Sequence, residues 1–95
     1  MKLKPLVSIV IPTKNESKNI KRCLNSIKAS SYKNFEVIVV DQGSLDDTRD
    51  ISEDFGAKVI KVPTSDKYLP PSNSRNIGFR SSSGDYIYHL DADME

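Results

Sequence analysis

In "LVSIVIPTKNE" (residues 6–16), six residues dominated by Val, Ile and Leu run into Pro12 and then into a polar stretch. A run that short and β-branched, closed by proline, reads as a strand buried on both faces. It is too short for a signal-peptide core, and a membrane span needs about twenty apolar residues. The next segment decides the fold class. "NESKNIKRCLNSIKAS" (residues 15–30) places Ile20, Cys23, Leu24 and Ile27 at i, i+3, i+4 and i+7, the apolar face of a helix. Asn15 is the expected N-cap, with Glu16 in the first turn where the helix dipole favours an acid. A buried strand leading straight into a helix is the first half of a parallel crossover.

The same unit recurs. "FEVIVV" (residues 35–40) is a second strand, and "DQGSLDDTRDISEDFG" (residues 41–56) turns helical near Asp47 and stops at Gly56. Asp46 and Asp47 are read as N-cap residues there. "AKVIKV" (residues 57–62) is a third strand ended by Pro63. Pro70-Pro71 is expected to forbid helix at that point, with Ser72 or Asn73 capping a short helix through "SRNIGFRSS" (residues 74–82). After Gly84-Asp85 comes "YIYHL" (residues 86–90), a fourth strand. The order β-α-β-α-β-α-β implies parallel strands and right-handed crossovers, hence an α/β, Rossmann-like, mostly parallel sheet.

The bulk numbers bound the rest. Ninety-five residues make one domain, residues 1–95. Hydrophobic content of 37% and charged content of 28% suit a globular chain. A net charge of +1 with scattered lysines argues against a nucleic-acid partner. Cys23 alone excludes an internal disulfide and offers no zinc spacing, which favours a reducing, cytoplasmic setting.

Ligands of such sheets bind where the strands end. Residues 12–16 come after the first strand, 41–44 after the second and 91–93 after the fourth, so each brings a carboxylate to one rim. If the fourth strand returns beside the first, the switch point brings residues 12–16 against Asp91 and Asp93. Those two aspartates, two apart at a strand end, share a face and offer hard oxygen donors for Mg2+ or Mn2+, with phosphate completing the shell. Alone, Asp-Ala-Asp reads better as a polar turn at a strand end; the rim context favours the metal. Arg75 has the donor fork for a diphosphate, or else makes a surface ion pair. Asp41 can accept from a base N–H or a ribose hydroxyl, or else caps the approach to the next helix; Gln42 can do similar work without charge. Lys14 faces a phosphate or solvent. His89, Tyr86, Tyr88 and Phe79 are read as structural.

"VSIVIPTKNE", "FEVIVVDQGSLDDT", "SRNIGF" and "GDYIYHLDAD", in that order over residues 6–95, resemble the nucleotide-binding half of family 2 glycosyltransferases, enzymes of the GT-A fold. The resemblance implies inverting transfer of a sugar, hexosyl in type, from a nucleoside-diphosphate donor, often a UDP-sugar. It places Pro12, Thr13, Asn15 and Glu16 around base and ribose, Asp41 at or beside the uracil, and Arg75 at the diphosphate. It makes Asp93 the direct metal ligand and sets Asp91 nearer the ribose. Lys14 stands where the family has an aromatic or small residue, and Gln42 where it often has Asp.

In that family the catalytic base and acceptor site come after the D-x-D motif, so this chain is expected to hold the donor half only and to be inactive alone. Acceptors implied are glycans or lipid carriers of cell-envelope synthesis, at the inner face of a membrane. The fourth strand, an apolar edge, is expected to invite self-association. Three other readings compete. One is a nucleotide-binding module without catalysis. Another is a sugar nucleotidyltransferase, disfavoured because "PTKNE" has no glycine. The last is a receiver domain, disfavoured because the third strand ends in Pro63-Thr64.

Overall fold

A computed structural model describes residues 5–62 and 71–92, with 71–75 as backbone alone. Seven elements alternate as expected: β1 (Val7–Thr13), α1 (Ser17–Lys28), β2 (Phe35–Asp41), α2 (Thr48–Phe55), β3 (Lys58–Lys61), α3 (Pro71–Ser81) and β4 (Tyr86–His89). All pairings are parallel and the strand order is β3-β2-β1-β4. The sheet therefore reverses direction between β1 and β4, and the switch point lies where the sequence order put it. None of the described helices is long and apolar enough to cross a membrane.

The two central strands explain the layering. Their side chains alternate between faces. Ile11, Val37 and Val39 meet Ile20, Cys23, Leu24 and Ile27 of α1, with Ile51 and Phe55 of α2 packed on the same core. Val10, Ile38 and Val40 face the other way, with Val62 and the α3 residue Ile77. The continuous apolar runs of β1 and β2 are thus covered by α1 and α2 on one face and by α3 on the other. β3 and β4 are shorter than the apolar runs suggest because they lie at the sheet edges, where only one neighbour supports them.

Two helix starts differ from expectation. α3 begins at Pro71 itself. Proline is tolerated at the first helical position, where its missing N–H has no intrahelical acceptor in any case. α1 begins at Ser17, with Glu16 as N-cap residue and no cap from its own side chain. Asn15 is not the cap, because its backbone has turned into the left-handed region (φ 51°). α2 ends as predicted, at Gly56 with φ 101°. Gly78 serves packing instead. A Cβ there would lie 2.2 Å from Val10 Cγ1, so only glycine lets α3 settle this low on β1.

At the amino ends of the strands, Ser8 Oγ donates to Glu36 Oε2, which also accepts from Ser83 N–H at 2.6 Å. Gly84 N–H donates to Ser8 Oγ at 2.8 Å. Burial by itself pushes the Glu36 carboxyl upward. The Ser8 and Ser83 hydrogen bonds, Lys58 and Gly84 outweigh it and hold the group below its ordinary range. This knot ties the turn before β4 to β1 and β2.

Candidate functional site

The carboxyl ends of β1 and β2 are locked together by side chains. At register level Thr13 pairs with Asp41, and the ladder continues through Gln42 N–H to Thr13 C=O at 3.0 Å. Beyond it, residues 14–16 and 42–47 brace each other. Asn15 N–H donates to Ser44 Oγ at 2.8 Å, and Asn15 Oδ1 accepts from Leu45 N–H at 2.7 Å. The left-handed backbone of Asn15 turns both groups toward the second loop. That conformation is rare for a side-chain-bearing residue, and asparagine tolerates it well.

Two hydroxyls then act as relays. Ser44 Oγ accepts from Asn15 and donates to Asp41, whose other oxygen takes Ser44 N–H at 2.9 Å. Thr48 Oγ1 accepts from Glu16 N–H at 3.0 Å and donates to Asp46. Asp46 also accepts from Thr48 N–H at 3.0 Å and from Ser17 N–H at 3.2 Å. Two N–H groups at the start of α1, those of Glu16 and Ser17, are therefore satisfied by the neighbouring loop rather than by a residue preceding the helix. Of the two expected α2 caps, Asp46 does the capping; Asp47 is the N-cap residue but makes no side-chain cap bond. Hydrogen bonds from Thr48 and Ser17 hold the Asp46 carboxyl below its ordinary range.

Asp41, expected at the base, is completely buried. Both its oxygens are engaged by Ser44, and Arg49 Nε lies 3.7 Å from Oδ2. Its carboxylate holds the loop in shape. Gln42 is half-buried beside it and Pro12 is buried. Thr13 is the exception on this rim. It is 4% exposed, yet its Oγ1 has no hydrogen-bond partner among the described residues. A buried hydroxyl left open costs free energy unless something completes it.

The β1–β4 register, continued past Val10 and His89, brings Asp91 and Ala92 level with the end of β1. Leu90 N–H still bonds Val10 C=O at 3.0 Å, and Ala92 is buried in the core under α1. Asp91 is half-buried at this edge. Asp93, and the side chain of Arg75, lie outside the described residues. The backbone of Arg75 is in α3, a helix that must begin at the carboxyl edge to run back to β4. Among the described residues no three His, Cys, Asp or Glu side chains gather closely enough for a metal ion. The rim's acidic side chains, among the described residues, offer oxygen donors, which fits an ion held by one or two carboxylates with phosphate completing its shell.

Ser44, Thr48 and Arg49 were not singled out by sequence reasoning. The signal was present in the spacings Asp41…Ser44 and Asp46…Thr48, where a hydroxyl or N–H a few residues on bonds back to an aspartate.

A sequence model described as "Glycosyl transferase family 2" matches residues 8–95. The chain belongs to glycosyltransferase family 2. It is 37% identical over 93 residues to the glycosyltransferase AglE of Haloferax volcanii, covering 94% of this chain and 31% of AglE. Among solved structures it is similar to S. aureus TarS 1-349 in complex with UDP, at a TM-score of 0.83 and 31% identity. That match covers 92% of this chain and 27% of the other. It is also similar to the mannosyltransferase PcManGT of Pyrobaculum calidifontis in complex with GDP-Man and Mn2+. There the TM-score is 0.78 and the identity 26%, over 95% of this chain and 28% of the other. The chain thus spans less than a third of each of these relatives. As a family 2 member it has the GT-A-type, Rossmann-like parallel sheet, and the braced rim lies over β1 and β2, next to the switch point between β1 and β4.

Proposed function

We propose that residues 1–95 form the donor-binding part of a glycosyltransferase that takes a hexosyl unit from a nucleoside-diphosphate sugar, UDP in the first instance, with inversion. The observation that carries this reading is Thr13: a buried hydroxyl at the carboxyl end of β1, next to the β1–β4 switch point, with no partner among the described residues. A base or ribose supplies the missing partner. Support comes from relatives solved with UDP and with GDP-Man and Mn2+.

The roles within this reading follow the family resemblance. Pro12, Thr13 and residues 15–16 wall the nucleoside pocket, and their loop is held in shape by Asp41 and Ser44. Gln42 reads the base edge with an amide, donor and acceptor both. Arg75 faces the diphosphate, with its forked donors matched to phosphate oxygens. Asp93 holds a divalent cation directly and Asp91 holds the ribose side. A bound Mg2+ or Mn2+ supplies neutralisation of charge on the departing diphosphate. The acceptor hydroxyl must lose a proton to a base. We assign no residue here to that task and propose that the acceptor, a glycan or lipid-linked glycan, and the base meet this half from another part of the enzyme. On its own the donor half then binds donor without transferring sugar. β4, an edge strand with Tyr86 64% and Tyr88 55% exposed, is the proposed seat of self-association. A monomer at all concentrations in sedimentation velocity sinks that part.

An NMR titration with UDP, with and without Mg2+, tests the donor reading. Shifts at Thr13, Asn15, Gln42 and Asp91 that strengthen with Mg2+ and weaken in Asp93→Ala are expected. A folded chain with no shifts at the rim overturns it.

A further inference from the structure

The outer face of α1 is unlike the rest of the surface. Between Ser17 and Asn34 the chain carries Lys18, Lys21, Arg22, Lys28 and Lys33 and no acidic residue. The apolar side of α1 is buried, so helical periodicity turns Lys18, Lys21 and Arg22 outward together, and all three are exposed. With Asn25, Ser26 and Ala29 they line a shallow depression of about 550 Å3. The cations lie toward the start of the helix and the small side chains beyond them, which leaves room for an anionic headgroup beside the cations. Arg22 also bonds Asn19 Oδ1 at 3.0 Å, which holds it along the helix.

A second feature sits at the rim end of the same helix. Leu45 is 94% exposed. Its loop is braced: Leu45 N–H is held by Asn15 Oδ1, and the next residue, Asp46, bonds Ser17 N–H at the start of α1. A fixed loop therefore presents a fully exposed leucine next to the basic helix. Cations together with an apolar side chain match the two-part demand of a lipid interface, where one weak signal rarely suffices.

We propose that the α1 face, with Leu45 at its tip, docks on an anionic lipid bilayer. The orientation is set by α2, which packs against α1 and exposes Asp50, Glu53 and Asp54. An anionic surface repels that helix, so the chain rests on its α1 flank with the rim at the membrane. This rests on and deepens the reading of a lipid-linked acceptor, and draws on the surface charge of α1 and on exposed Leu45. α1 itself carries no aromatic residue on which a base could stack, which disfavours a single-stranded nucleic acid.

The test is flotation of the chain with vesicles of roughly seven parts phosphatidylcholine to three of phosphatidylglycerol, against pure phosphatidylcholine. Binding to the anionic vesicles only, weakened by salt, is expected. The triple variant Lys18→Glu, Lys21→Glu, Arg22→Glu should lose roughly a hundredfold in partitioning, since each basic residue near such a surface is worth about fivefold. Lys21→Gln alone should lose about fivefold. Leu45→Ser should weaken the binding that persists in salt. Equal flotation with both vesicle types, or an unchanged triple variant, overturns the proposal. So does a salt-sensitive dimer formed without lipid and abolished by the triple variant, because the face then belongs to a second copy. UDP-induced NMR shifts, recorded on the same variants, should be unaltered. Their loss would indict the donor reading, and their retention without flotation indicts only the membrane face.

Discussion

The two ends of the sheet are built from the same chemistry and finished differently. At the amino end, Ser8 and Glu36 knit β1, β2 and the turn before β4, with Gly84 and Ser83 N–H groups completing the set. At the carboxyl end, Ser44 with Asp41 and Thr48 with Asp46 knit the loops after β1 and β2. The first knot is closed. The second leaves Thr13 Oγ1 buried and, among the described residues, open, at the strand ends where the order reverses. Hydroxyl–carboxylate pairs give both ends rigidity; an unfilled hydrogen bond distinguishes the end proposed to take the donor.

The largest effect is expected at Asp41. Asp41→Ala removes a fully buried carboxylate and strands the buried Ser44 N–H and hydroxyl, while the partly exposed Arg49 guanidinium turns to solvent. A loss of about 3 kcal/mol in urea unfolding is expected, with UDP binding lost as the loop relaxes. At the other end, Gly84→Ala sets a Cβ 2.3 Å from Ser8 Oγ and 2.7 Å from Ser8 N. It should cost about 1–3 kcal/mol while leaving the UDP-induced shifts of the folded fraction unchanged.

Acid probes both knots at once. Glu36 and Asp46 have carboxyls held below their ordinary range, so each adds stability above the unfolded carboxylate pKa. That contribution is lost as pH falls through the lower folded value. Tm measured from about pH 6 to about pH 3 should fall, and Glu36→Gln should shrink the slope.

The smallest stability effect is the sharpest test. Thr13→Val keeps the shape and removes the open hydroxyl, so stability should hold or rise slightly. UDP affinity should drop by about tenfold, the worth of one hydrogen bond. If instead affinity is unchanged, the difference between the two ends is not about a ligand.

Much of this architecture is legible in the chain itself. The β-branched runs at β1 and β2, the i, i+3, i+4, i+7 face of α1 and the glycine after α2 each declare a local conformation, and their alternation leaves a parallel sheet as the consistent topology. The expectation that residues 12–16, 41–44 and 91–93 converge on one edge comes from that topology alone. Local spacing was a poorer guide where satisfaction came from elsewhere. The caps at the start of α1 belong to Asp46 and Thr48, roughly thirty positions away in the chain, and no neighbour of Asn15 announces that its backbone will turn left-handed to meet Ser44. Asp41 shows the same limit. Its residue type and place after a strand suit a ligand contact, but whether a carboxylate is free or already taken depends on which donors the fold brings within hydrogen-bond reach. Composition and period determine which segments become strands and helices, because those preferences act within a few residues. Only packing decides which polar groups are consumed in holding the loops and which hydroxyl is left over.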